Sequence, residues 1–201
     1  DHTVIPDRIV AGTYAVAAAV TNGDVILEEF PYDGMLAVID RFNEIGVHCE
    51  LIEGHDDPMH GVVRITSERL LHPTQITTQP HPGFPTDLQA QFMTLLCFAV
   101  GNSIVTEKIY PERFGHVAEL SRMGAQIYRQ GPTCVVSGGG AQLRGAPVMA
   151  SDLRASASLV LAGLMAEGET EVSRIYHLDR GYEHIEEKMQ RLGAKVCRVV
   201  S

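Results

Sequence analysis

The chain has 201 residues, 45% apolar and 20% charged, with 19 glycines; it is long enough to bury a real core, which excludes disorder and fibrous structure. A formal net charge of -9 without any basic run argues against nucleic acid or an anionic membrane surface, because phosphate groups are bound by clustered cations. No apolar stretch reaches the roughly 20 residues that cross a bilayer, and Asp1-His2-Thr3 lacks the charged and apolar regions of a signal peptide, so no membrane partner is expected and the chain reads as cytoplasmic.

The chain starts without an initiator Met, close to a turn-like Ile5-Pro6-Asp7, and is expected to be a fragment of something longer. From Gly12-Thr13-Tyr14 an Ala/Val-rich helix runs to Gly23. A strand is predicted over 24–30, an amphipathic helix near 34–45 that ends at Gly46, and a strand over 47–52. Met35, Val38, Ile39 and Phe42 form that helix's apolar stripe. Gly61 to Ile65 reads as a hairpin-like segment, and Pro73 to Pro85, with Pro80-His81-Pro82 inside it, as a stiff extended loop.

The same pattern then recurs. Thr86-Asp87-Leu88 opens a helix to Val100 and Gly101, followed by a strand over 103–110, a helix near 113–123, Gly124 and a strand over 125–128. The stripe of that second helix is read as Phe114, Val117 and Ala118. Cys134 to Ser137 is hairpin-like, and Gly138-Gly139-Gly140 reads as its turn, since no helix start or Lys-Ser/Thr follows to make a phosphate loop. A third copy opens at Ser151-Asp152-Leu153, passes Gly168, and continues as a strand over 170–176, a helix near 181–192 with Tyr182, Ile185 and Met189 on one stripe, Gly193, and a strand over 194–200. The helices at 88–99 and 153–166 are apolar nearly all round and belong inside, whereas Gly46, Gly124 and Gly193 stand where a left-handed helix cap favours glycine. The expected fold is α/β (α+β), one domain over 1–201 built of three βαβαββ-type repeats near 8–75, 76–147 and 148–201, with buried helices enclosed by sheets.

Few residues stand out for chemistry. Cys49, Cys97, Cys134 and Cys197 are widely spaced, without a C-x-x-C pair, and read as reduced structural thiols. His81, His116, His177 and His184 show no metal-binding spacing, so no metal is expected. Thr86-Asp87-Leu88-Gln89 reads as a capping box and Ser151-Asp152-Leu153 as a capping start of the same kind. Asp87 has a second reading: held by Pro85 at the mouth of a buried helix, it can accept a proton from a hydroxyl. Arg113 and Arg180 occupy matching places at the start of outer helices, and Arg154 lies in the first turn of a buried one. A cation there is disfavoured by the helix dipole unless an anion is shared with it. The alternative is that these arginines pair with local acids such as Asp152, Asp179 and Glu183.

Pro82-Gly83-Phe84-Pro85-Thr86-Asp87-Leu88-Gln89-Ala90-Gln91-Phe92, Arg113-Phe114 with His116, Ser151 to Leu159, and Ile175-Tyr176-His177 through Asp179-Arg180-Gly181-Tyr182 together resemble the UDP-N-acetylglucosamine 1-carboxyvinyltransferases (UDP-N-acetylglucosamine enolpyruvyl transferases) of the enolpyruvyl transferase family. The resemblance spans nearly the whole chain and implies the C-terminal half of a two-domain enzyme, an inside-out α/β barrel. It implies that the enolpyruvyl group of phosphoenolpyruvate passes to the 3′-hydroxyl of UDP-N-acetylglucosamine with release of phosphate, in the first committed step of peptidoglycan synthesis, without a cofactor. It also implies that Asp87 is the base and contacts the sugar, that the Ile109 backbone contacts the UDP-sugar, and that Arg154 and Arg180 line the cleft, Arg180 toward phosphoenolpyruvate. Arg113 would contribute cleft electrostatics. The family's mobile loop with its catalytic Cys, and the Lys and Arg that hold phosphoenolpyruvate, belong to the missing N-terminal half, so the isolated chain is expected to lack turnover. The rival readings are a shikimate-type enolpyruvyl transferase half, a non-catalytic binding module of the same fold, and a nucleic-acid module or terminal-phosphate cyclase, which the net charge disfavours.

Overall fold

The computed structural model describes residues 4–139 and 142–199. Helix α1 (Arg8–Val20) starts where Asp7 accepts hydrogen bonds from the Ile9 and Val10 amides at 2.7 and 3.2 Å, an N-cap that satisfies two otherwise unpaired donors. Strand β1 (Val25–Phe30), helix α2 (Leu36–Ile45) and strands β2 (Val47–Glu53) and β3 (Gly61–Ser67) follow. Then come β4 (Gln75–Thr77), α3 (Gln89–Leu96), β5 (Gly101–Thr106), α4 (Gly115–Arg122), β6 (Gln126–Gln130) and β7 (Thr133–Gly138). The last group is β8 (Pro147–Met149), α5 (Leu153–Met165), β9 (Glu171–Ser173) and α6 (Ile185–Arg191).

Helix, strand and outer helix therefore succeed one another in three places, as α1-β1-α2, α3-β5-α4 and α5-β9-α6. Helices α1, α3 and α5 touch one another, and all eight residues of α3 are buried. A helix buried on every side has no face to give to water, so it is stable only where other elements surround it. The sheets do this. Among the described residues they are antiparallel β1-β3-β2, a four-stranded β4-β5-β7-β6 in which β4 runs parallel to β5, and a parallel pair β8-β9. Met35, Val38, Ile39 and Phe42 are buried as their spacing predicts, and so are Tyr182, Ile185 and Met189. Gly46, Gly124 and Gly193 all adopt φ between 94° and 100°, the left-handed conformation expected of a helix-ending glycine.

Several local expectations give way. The face that α4 buries carries Phe114, His116 and Leu120, while Ala118 is exposed; a small side chain costs little in water, so the larger groups set the rotation. The Pro-rich segment 73–85 contains β4, whose Ile76 is buried beside Val105. Residues 194–199 form no strand. They lie alongside α6, tied by Gln190 Nε2 donating to the Val196 carbonyl at 2.6 Å and by Arg198 pairing with Asp179 and Glu186. The turn of the hairpin is at Gly131-Pro132 between β6 and β7. Gly138 and Gly139 instead pass the C-terminal end of α3, where the Gly139 amide donates to the Cys97 carbonyl at 3.2 Å. Gly140 lies outside the described residues. Cys49, Cys97 and Cys134 are buried free thiols whose pKa burial pushes up to about 12, 12 and 11, and Cys197 is an exposed free thiol.

Two consequences can be measured. A Cβ at Gly138 would lie 2.2 Å from the Leu96 carbonyl oxygen and 2.3 Å from that of Ala99, and backbone at a helix end cannot step aside. Gly138→Ala is expected to cost about 3 kcal/mol, the upper end for overpacking, read as a drop in the denaturation midpoint. His116 is fully buried with Nε2 3.2 Å from Met93 Sδ, and burial, against the pull of Asp152, lowers its pKa to about 4. The unfolded chain takes up that proton near pH 6.5, so stability is lost as pH falls from there toward 4, by up to about 3 kcal/mol at 1.36 kcal/mol per unit. His116→Gln should lose about that much less than the wild type between pH 7 and pH 4 in chemical denaturation.

Candidate active site

Pro85 holds an extended backbone, and Thr86–Leu88 make one 3-10 turn before α3 begins. The expected capping box does not form. Neither Pro85 nor Leu88, the residues at these helix entries, caps with its side chain, and Asp87 turns toward two arginines instead. Arg113 Nη1 donates to Asp87 Oδ1 at 2.6 Å, and Arg154 Nη2 donates to Asp87 Oδ2 at 3.1 Å. Charged donors outcompete neutral helix amides for a carboxylate. Asp152 does behave as the sequence predicts: its Oδ1 accepts from the Arg154 and Ala155 amides at 2.8 and 3.0 Å and caps α5. Two similar Asp-Leu starts therefore have different roles, because only Asp87 has guanidinium groups within reach.

The three side chains of this cluster come from three elements. Asp87 precedes α3, Arg113 lies in the loop before α4, and Arg154 stands in the first turn of α5. Their side-chain exposures of 36%, 25% and 14% make a half-sunken rim rather than a free surface. Burial pushes the Asp87 carboxyl upward, but the Arg154 charge and the hydrogen bonds from Arg113 and Arg154 outweigh it and hold the pKa below the usual carboxylate range. Burial would lower the Arg154 pKa, yet nearby Tyr182 and Asp87 raise it above the ordinary value, so this cation stays charged. Arg113 also lies over the Tyr110 ring at 5.4 Å from its centroid. The two guanidinium groups share one rim carboxylate, and each keeps N–H donors that Asp87 does not take, a setting suited to an anionic ligand.

The remaining site residues fall around this cluster. Ile109 is half-buried, and its amide donates to Glu107 Oε1 at 2.8 Å. Arg180 is the last residue of a 3-10 segment, Ile175–Arg180, and precedes α6 by five residues, so it does not start an outer helix as expected. Its side chain is exposed and has no ion pair to Asp87, the acid that Arg113 and Arg154 share. It is tied to the site through its neighbours, since Gly181 packs on Leu153 and Tyr182 is buried near Arg154. The local acids do not take the arginines: Asp179 pairs with Arg198 and Glu183 with Lys188. Among the described residues no three His, Cys, Asp or Glu side chains stand close enough to hold a metal ion, and no helix is long and apolar enough to cross a membrane.

Sequence reasoning missed Glu107, which is fully buried and binds four donors behind the rim. Alternation along β5 could have found it, because Ser103 and Val105 are buried at the same spacing and the next inward position is 107.

The family described as EPSP synthase (3-phosphoshikimate 1-carboxyvinyltransferase) matches residues 1–189. The chain is 53% identical over 199 residues to the UDP-N-acetylglucosamine 1-carboxyvinyltransferase of Oleidesulfovibrio alaskensis, covering 99% of this chain and 46% of that protein. It is 54% identical over 201 residues to the protein of that name from Sorangium cellulosum, with 99% and 46% covered. Among solved structures it resembles the enolpyruvyl transferase NikO from Streptomyces tendae, with a TM-score of 0.85 at 26% identity over 97% of this chain and 45% of that one. EPSP synthase from Acinetobacter baumannii, with a TM-score of 0.71 at 22% identity over 98% and 45%, shares the fold. The chain thus spans a little under half the length of the curated relatives it matches. With a mixed α/β fold of this type and a family match over residues 1–189, the chain belongs to the EPSP synthase family of enolpyruvyl transferases.

Proposed function

We propose that this chain is the C-terminal half of a cytoplasmic UDP-N-acetylglucosamine 1-carboxyvinyltransferase, one domain of three related units near 8–75, 76–147 and 148–201. Its partners are the N-terminal half of the same enzyme and the substrates UDP-N-acetylglucosamine and phosphoenolpyruvate. The sugar 3′-hydroxyl adds to C2 of phosphoenolpyruvate while C3 takes up a proton; loss of a proton from that methyl and of phosphate from C2 then restores the C2=C3 double bond and leaves the sugar enol ether. The reaction would serve peptidoglycan synthesis, and so cell-wall biogenesis, cell shape and division. The observation that carries this reading is the carboxylate of Asp87 set between Arg113 and Arg154. Identities of 53–54% to carboxyvinyltransferases named for UDP-N-acetylglucosamine, against 22% to an EPSP synthase structure, favour the sugar nucleotide over a shikimate-type acceptor.

In this mechanism Asp87 takes the 3′-hydroxyl proton. Its pKa is held low while both arginines face it, so position matters more than intrinsic basicity. Phosphate oxygens arriving at the rim compete for the same guanidinium groups, and each bond so diverted leaves Asp87 more basic. Arg154 and Arg180 neutralise the anionic reactants, Arg180 on the phosphoenolpyruvate side. Ile109 offers backbone to the UDP-sugar, with its amide already engaged by Glu107.

The test is phosphate release from the two substrates. The chain alone should release none. The chain together with its N-terminal half should turn over, and Asp87→Asn in that preparation should lose about 10²–10⁴-fold in kcat, the range for a general base. Full activity of the Asn variant, or UDP-sugar-dependent release by the chain alone, would overturn the proposal.

A further inference from the structure

Glu107 follows β5 directly, continues its inward alternation, and is fully buried. Four donors converge on it. Oε1 accepts from Thr78 Oγ1 at 2.6 Å and from the amides of Ile109 and Tyr110 at 2.8 and 3.0 Å. Oε2 accepts from Thr86 Oγ1 at 3.0 Å. The direction of each bond is set by its neighbours. Thr78 Oγ1 already accepts from the Lys108 amide at 2.8 Å, so its one proton is free for Glu107. Thr86 Oγ1 accepts from Arg113 Nη1 at 3.1 Å, and its proton likewise goes to Glu107. A carboxylate with both oxygens accepting satisfies all of them.

These bonds make a directed path from the rim to the interior: Arg113 Nη1 donates both to Asp87 Oδ1 at 2.6 Å and to Thr86 Oγ1, which donates to Glu107. The same carboxylate receives the chain as it leaves β5, whose ladder stops at Thr106 opposite the first residue of β7, and holds the amides of residues 109 and 110. The loop carrying Ile109 and the guanidinium that faces Asp87 therefore share one anchor, and they also meet at Tyr110, whose ring lies under the Arg113 guanidinium and whose carbonyl accepts from the Arg113 amide at 2.8 Å.

We propose that Glu107 is a positioning residue that sets the Ile109–Tyr110 backbone through Oε1 and, through Thr86, aims Arg113 at Asp87. The inference rests on the functional reading of Asp87 and Ile109 given above. It explains why a carboxyl group, costly to bury, occupies a place where a hydrophobe would pack: a buried acceptor is tolerated only when its bonds are complete.

Glu107→Gln separates the two arms. The amide oxygen keeps the bonds from Ile109 and Tyr110, but its NH2 group meets Thr86, whose hydroxyl must then accept there and turn its proton away from position 107, so Arg113 loses a hydroxyl polarised by a carboxylate. In NMR spectra of the 201-residue chain, Glu107→Gln is expected to leave amide exchange at Ile109 and Tyr110 near wild type and to shift the Arg113 guanidinium signals. Thr86→Val should shift the same Arg113 signals. In the complete enzyme each variant should lose about tenfold or more in kcat/KM for UDP-N-acetylglucosamine, the size of a charge-assisted hydrogen bond, and the double variant no more than the worse single one, because both cut one path. Unchanged Arg113 signals in a folded Glu107→Gln chain, or losses that add in full, would overturn the proposal; if Glu107→Gln does not fold, Thr86→Val decides by the same signals. Absence of turnover in the wild-type enzyme would instead remove the functional reading, and the Arg113 signals would still decide the role of Glu107.

Discussion

A carboxylate held between two guanidinium groups is stable only when three separate stretches of chain are kept in register. Asp87, Arg113 and Arg154 are 26 and 67 residues apart along the sequence, and a surface ion pair of such long side chains would contribute little. What makes this cluster different is its support. Arg154 is 14% exposed and rises from a buried helix, and Arg113 is held by Thr86 as well as by Asp87. The ordering cost of the side chains is thus met by the packing around them rather than by the ion pairs themselves.

That packing comes from the buried helices. Between α1 and α3 a small polar network closes deep in the core: Thr13 Oγ1 is 2.8 Å from the Tyr182 hydroxyl, and Gln91 Nε2 donates to Thr13 Oγ1 at 3.2 Å. Tyr182 in turn lies near Arg154 and raises its pKa. A helix surrounded only by aliphatic groups can slide or rotate at little cost. Directional bonds among Thr13, Gln91 and Tyr182 select one arrangement, and with it the position of the α5 entry that carries Arg154.

The legibility of this protein from its sequence differed by level. Periodicity found the buried helices and the stripes of α2 and of the α6 region, since those depend on whether a face meets water. It misplaced Ala118, because a small residue counts as apolar in a pattern but exerts no force on the rotation of α4. It gave residues 194–199 a strand, because alternation cannot say whether a partner edge exists. The capping box at Thr86-Asp87 was a sound local reading that lost to two arginines distant in sequence, and Arg180 matched its counterpart Arg113 in motif but not in placement before a helix. Glu107 escaped notice because a lone Glu inside the strand predicted over 103–110 does not show that it is buried, since the hydroxyls that satisfy it belong to Thr78 and Thr86, distant in sequence.

Composition and pattern alone determined the class of fold, the succession of buried and outer helices, and the candidacy of Asp87, Arg113, Arg154 and Arg180, because hydrophobic burial and helix-end electrostatics act over a few neighbouring residues. Which acid caps a helix and which faces a cation, where β5 stops, and which buried carboxylate joins the loop to the rim were decided only by tertiary structure. Each depends on donors brought from distant segments, and a hydrogen bond is made or lost over less than an ångström.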